Sequence, residues 1–199
     1  MRRDPQQNAR KLFQVTSDQG GYFSAAQALQ VGYAYSQHHF HIARGNWIRV
    51  DHGIFRLRDY PPGGREDLIR LSLWSHNRQG EPQAVVSHHT ALAVHELSDL
   101  TPAQIHLTVP SRFRKGPPRG CVLHKAALPE DDVEQRIGYS VTTPLRTLLD
   151  VADTPLSQEH LNKAVEDALE RGLVRRRLLE EAPSSPMARQ RLGRALAVL

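Results

Sequence analysis

The sequence is poor in the residues on which most enzyme chemistry rests. A single cysteine, Cys121, stands in 199 residues. It can close no internal disulfide and build no cysteine-rich zinc site, and a reducing cytoplasm is the expected compartment. No apolar run reaches the roughly eighteen residues that a membrane-spanning helix needs, so no membrane association is expected. The opening Met-Arg-Arg-Asp-Pro-Gln-Gln-Asn has no apolar segment behind it, so a secretory signal is not expected either. There is no Gly-x-Ser-x-Gly turn for a hydrolase nucleophile, no phosphate-binding Gly-rich loop ending in Lys-Ser/Thr and no His-Glu-x-x-His helix. Of the 26 basic residues only four are lysines, and none follows an acidic residue by two positions, which argues against the usual Asp/Glu-x-Lys nuclease core. An Asp-x-Asp pair, as a two-metal nucleotidyltransferase would want, is also missing. The expectation is a protein without catalytic residues, cofactor or metal. A divergent metal-dependent nucleic-acid-processing enzyme using some of the eleven histidines stays open as the alternative.

Hydrophobic residues at 39% and charged residues at 24% suit a packed core, in one ordinary domain or two small ones. The formal net charge is +5. Residues 1–60 hold eight basic and four acidic side chains, and the remainder is nearly balanced. A basic N-terminal module on a neutral body suggests a polyanion partner for that module. A plain solvated basic surface would carry the same charge. Arginine suits bidentate contacts to phosphate or base edges.

Punctuation along the chain divides it further. Pro5 and an apolar stripe through Leu12 and Val15 predict a helix over 5–19, ended by Gly20-Gly21. Ser24 reads as the cap of a short second helix stopped by Gly32. Ser36 reads as the start of a third, through Arg44 and closed by Gly45. Strand-like runs at 47–50 and 54–57 flank the turn Asp51-His52-Gly53. Three helices with a tight turn between the second and third, then a hairpin, make the layout of a winged helix-turn-helix over residues 1–60. Pro61-Pro62-Gly63-Gly64 reads as a linker at about 59–64. Residues 65–199 then read as a small mixed α/β domain. It has helices at 65–77 and after Ser87, strands at 84–86, 105–109, 121–124 and 138–142, and C-terminal helices over 143–153, 157–171 and 175–199 with a break at 182–186. The fold class expected is α+β.

A third helix whose back is covered by the first helix and the hairpin can place its polar side in a major groove. Its candidate DNA-binding residues are Ser36, Gln37, His39, His41 and Arg44, with His38 expected to face the core. Because a helix shows one face to the groove, about half of the set should touch DNA. Arg49, His52 and Arg56 on the hairpin are candidate phosphate contacts. Arg2, Arg3, Arg10 and Lys11 could add backbone contacts. Two further clusters, Arg112, Arg114, Lys115 and Arg119, and Arg171 with Arg175, Arg176 and Arg177, could extend the footprint, though such runs read first as solvated faces. His38, His39 and His41, and His88, His89 and His95, lack acidic partners at metal-ligand spacing. Ser87-His88-His89-Thr90 reads as capping, and Arg146 with Asp150 as an intrahelical ion pair.

The ordered set of motifs resembles the AbiEi-type antitoxins, transcriptional regulators of type IV toxin–antitoxin systems. The N-terminal part is Gly20-Gly21-Tyr22-Phe23-Ser24-Ala25-Ala26-Gln27-Ala28, Gly32-Tyr33, His39-Phe40-His41, Gly45-Asn46-Trp47-Ile48-Arg49-Val50 and Gly53-Ile54-Phe55-Arg56-Leu57. The C-terminal part is Val86-Ser87-His88-His89-Thr90-Ala91-Leu92, His95-Glu96-Leu97-Ser98-Asp99, Ile105-His106-Leu107-Thr108-Val109-Pro110 and Thr142-Thr143-Pro144-Leu145-Arg146-Thr147-Leu148-Leu149-Asp150. The resemblance spans about residues 15–155. It implies a winged-helix DNA-binding domain followed by an antitoxin domain. It further implies repression of the protein's own promoter through inverted repeats, and neutralisation of a nucleotidyltransferase-like toxin without a stable complex. A solitary regulator without a toxin is the other reading it allows.

Overall fold

Two glycines close the helices that matter most. In the computed structural model of the protein, which describes residues 5–61, 63–97, 99 and 101–199, α1 is Pro5–Ser17, β1 Tyr22–Ser24, α2 Ala25–Gln30 and α3 Tyr35–Ala43. Past α2, the N–H of Gly32 donates to Leu29 O and that of Tyr33 to Ala28 O. Past α3, Gly45 donates to Ile42 O and Asn46 to His41 O in the same way. Both are Schellman closures, which need a left-handed residue, and φ is 112° at Gly32 and 73° at Gly45. The helix starts differ. Ser24 caps α2 in a reciprocal box with Gln27. Ser36, the expected start of α3, lies inside that helix, and Ala34 occupies the cap position with no side-chain oxygen to offer. The Gln37 side chain completes the end by accepting from the Ala34 N–H at 2.7 Å.

β2 (Trp47–Asp51) and β3 (Ile54–Leu57) form the expected hairpin, with a register shift between Arg49 and Asp51. The sheet has a third member: β1 pairs with β3 on its other side, giving the order β1-β3-β2. Leu12 of α1, Phe23, Ala28, Tyr33, Trp47 and Phe55 form the core beneath α3. The helix α4 (Glu66–Ser75) buries Leu68, Ile69 and Leu73, and its Ile69 and Leu73 share a second cluster with Tyr22 and Ile54. The chain divides into two compact units, residues 1–84 with 136–139, and residues 85–135 with 140–199. The Pro/Gly stretch read as a linker therefore falls within the first unit, and so does α4.

The second unit holds most of a five-stranded sheet in the order β6-β5-β4-β8-β7. Its strands are β4 (Val85–Val86), β5 (Ile105–Val109), β6 (Cys121–Lys125), β7 (Val133–Arg136) and β8 (Tyr139–Thr142). β4 is antiparallel to β5 and parallel to β8, and β5 is parallel to β6. The helices are α5 (His88–Val94), α6 (Pro144–Ala152), α7 (Gln158–Glu170), α8 (Arg176–Glu181) and α9 (Pro186–Val198). Leu148, Leu161, Ala164, Val165 and Leu192 lead a helical core in which truncating one leucine costs about 2–5 kcal/mol. The α+β class is as expected. Ser87 stands at the start of α5 but makes no side-chain cap. Its Oγ instead accepts from Thr108 Oγ1 at 2.8 Å. The helix stops at Val94, and Leu97 is buried just beyond it in a closure that forces Glu96 to φ 56°.

Candidate nucleic-acid interface

The inner side of α3 is aromatic. His38, 6% exposed, packs its ring 5.4 Å from Trp47 and 5.7 Å from Phe55. His41 stacks on Trp47 at 4.6 Å and meets Tyr33 edge-on at 5.1 Å, while its Nδ1 accepts from Asn46 Nδ2. Burial pushes both imidazoles below the usual histidine range, with the neighbouring His38 adding to the effect on His41. His38 is core, as expected. His41, expected among the DNA contacts, is half-buried and turned into the unit, where its face lines an apolar cleft with Leu12, Tyr33, Trp47 and Leu57.

Ser36, Gln37, His39, Phe40 and Arg44 are exposed on the other side. The Arg44 guanidinium lies 4.8 Å above the Phe40 ring, a cation–π contact that limits its swing. No carboxylate occurs in Tyr35–Arg44. Gln37 is exposed, but its carbonyl oxygen is engaged with the Ala34 N–H. Phe40 is not among the residues expected to matter because its type is apolar. The signal that finds it is angular: at about 100° per residue it lies opposite His38 and close to Ser36 and Arg44.

On the hairpin, Arg49 and His52 are exposed. Arg56 sits on the central strand, donates from Nη2 to Tyr60 O at 2.7 Å and holds its guanidinium 5.9 Å from the Tyr22 ring. Both contacts engage it within the first unit. The acid of the hairpin, Asp51, is held below the usual carboxylate range by the His52 N–H and by Arg70, which pairs with it at 3.2 Å. Arg10 and Lys11 are exposed on α1, and Arg2 and Arg3 lie outside the described residues.

The basic clusters of the second unit separate into two kinds. Arg112, Arg114, Lys115 and Arg119 are exposed in the loop between β5 and β6. Arg171 donates to His95 O and Glu96 O, and Arg176 donates to Leu196 O and pairs with Glu180. Arg177 pairs with Glu181, and Arg175 is exposed at the start of α8. These contacts hold helix ends in place and account for much of that run. Arg146 pairs with Asp150 at 2.8 Å, as the spacing predicts, and reaches Asp132 at 3.4 Å. Burial nevertheless raises the Asp150 carboxyl to about 6, against the pull of Arg146.

Histidines far apart in sequence meet in this unit. The His88 and His124 rings stack at 3.6 Å, His106 Nδ1 lies 3.0 Å from His124 Nε2, and His89 packs edge-on to His106. Burial, with mutual repulsion behind it, holds His88 down at about 3 and His106 at about 4. His106 Nδ1 and His124 Nε2 are taken up in a hydrogen bond with each other. Among the described residues no three His, Cys, Asp or Glu side chains are placed to hold a metal ion. His95 is buried apart from this stack, with Nε2 donating to Thr142 O at 2.7 Å. No described helix is long and apolar enough to cross a membrane.

The crystal structure of the RV2827C protein from Mycobacterium tuberculosis is similar in fold, with a TM-score of 0.58 over 99% of this chain and 78% of that one at 17% identity. At that identity the likeness is one of fold alone. No curated protein matches the chain. The family model of the AbiEi antitoxin C-terminal domain matches residues 84–198, a span that begins within one residue of the second unit and covers more than half of the sequence. With that domain in its second unit, the chain belongs to the AbiEi antitoxin family.

Proposed function

We propose that the protein is the DNA-binding antitoxin of a type IV toxin–antitoxin system and represses its own promoter. In this reading residues 1–60, backed by α4, act as a winged helix-turn-helix and the second unit acts as the antitoxin domain. The observation that carries the DNA half is the outer side of α3. Ser36, His39, Phe40 and Arg44 face outward with no carboxylate among them, while His38 and His41 lock the helix to Trp47. A helix fixed from behind and free of negative charge in front suits the major groove. Arg49 and His52 on the wing, with Arg10 and Lys11, supply phosphate contacts that set register. Arg112, Arg114 and Lys115 offer a further cationic surface for nucleic acid. Two copies occupy the two arms of an inverted repeat.

The antitoxin half rests on the family. The second domain counteracts a nucleotidyltransferase-like toxin without a stable complex, in the cytoplasm and by no enzymatic step of its own. Nuclease protection of the DNA upstream of the protein's own gene tests the repressor reading. Two protected arms about one or two helical turns apart are expected, and both should vanish with Arg44→Ala. A fragment cut evenly along its length at saturating protein would overturn it.

A further inference from the structure

We infer that Phe40 is a base-reading residue, making apolar contact with the 5-methyl group of a thymine in each operator arm. This inference rests on the DNA-binding reading above and deepens it. Three observations carry it. Phe40 is 48% exposed at the middle of the outward side of α3, whose flanks are Ser36, His39 and Arg44. Its ring has the Arg44 guanidinium over it at 4.8 Å and the His41 ring perpendicular to it at 5.4 Å, and the remaining exposed surface is left for a partner. The ten residues Tyr35–Arg44 contain no acid, so nothing on the helix repels a phosphate-lined groove.

The base edges in a major groove offer donors and acceptors throughout, and one apolar group, the thymine methyl. A phenyl ring that enters the groove has that methyl as its only favourable match. Facing any other base edge, it would strip water from polar atoms and return nothing. Arg44, held along the ring, arrives at the groove with part of its conformational freedom already spent, and remains free to donate to a guanine edge or a phosphate.

The test removes the methyl and nothing else. Duplexes carrying the protected upstream arms are made with each thymine replaced in turn by deoxyuridine, and binding is titrated for the wild type and for Phe40→Ala. At one thymine per arm the wild type should weaken about three- to five-fold, the worth of one buried methyl group. Phe40→Ala should bind the native duplex more weakly and be indifferent to that replacement. Phe40 is on the surface, and an unchanged circular dichroism melt of the variant confirms that its fold is intact. Equal binding of the wild type to every deoxyuridine duplex overturns the inference while leaving the repressor reading standing, and so does a methyl penalty that persists in Phe40→Ala. Absence of any preference for the upstream DNA overturns both.

Discussion

His39 and His41 stand two positions apart on α3 and meet different surroundings. His39 is in solvent, while His41 lies against Trp47 and is held neutral by burial. The two look alike in sequence, since a histidine is compatible with either side of an amphipathic helix. The same distinction governs His88, His89, His106 and His124, all depressed by burial. Unfolded, each titrates near about 6.5. Folded, each holds its neutral form to a lower pH, so the unfolded chain binds more protons as the pH falls. Their contribution is fully present above about 6.5 and is lost on acidification toward the folded values, about 3 for His88 and about 4 for His106. Chemical-denaturant stability should therefore fall from pH 7 to pH 4.5. His88 has φ 52°, a conformation that asparagine accepts. His88→Asn should therefore flatten the slope, and an unchanged slope would remove His88 from the account. Gln37 belongs to this scale too. Because it completes the start of α3, Gln37→Ala should lower stability by about 0.5–1 kcal/mol in the absence of DNA. A thermal melt checks this, and a loss of DNA binding in that variant has to be corrected for it.

At the scale of elements, the positions of helices and strands are largely readable because their ends carry side-chain or glycine signals. Gly32, Gly45 and Gly172 each follow a helix end with positive φ, and the first two are legible as stops in the sequence. What escapes has no such signal. β1 is three residues long with Tyr22 and Phe23 both buried, so no alternation shows, and its last residue is also the cap of α2. β7 pairs beside β8 across a short turn, and its Glu134, Gln135 and Arg136 are too polar to announce a strand. The start of α3 differs from the expected Ser36 because the cap is made by Gln37 from inside the helix. The closure of α2 is the most sensitive of these ends. A Cβ at Gly32 would need φ 112° and would lie 2.9 Å from Asn8 Oδ1. Gly32→Ala should cost about 1–3 kcal/mol, read as a lowered Tm. The closure of α5 is the reverse case, since Glu96 holds φ 56° without need of its side chain there. Glu96→Gly should raise stability by about 0.5–1 kcal/mol, and a lowered Tm would contradict that.

For the whole molecule, composition places the boundary at the Pro/Gly stretch, whereas side-chain burial continues past it into α4. Ile69 and Leu73 cluster with Tyr22 and Ile54, a dependence that no local pattern reveals because it joins residues on separate elements. A fragment of residues 1–60 should accordingly melt at a lower temperature than one of residues 1–84, and equal melting would return the boundary to the linker. The candidate DNA surface is half legible in the sequence. The third helix and the hairpin lie where the sequence puts them, Ser36, Gln37, His39, Arg44, Arg49 and His52 are exposed, and His41 and Arg56 are engaged within the unit. Phe40 emerges only from the direction in which the helix faces. The most direct test of the account titrates the protein against DNA from upstream of its own gene and against a scrambled duplex, at several salt concentrations. Tight binding to the native fragment alone is predicted, with a log–log salt slope shallower than that of the weak binding to the scrambled duplex. Equal and equally steep binding to both would contradict it, reducing α3 and the hairpin to an unspecific cationic surface.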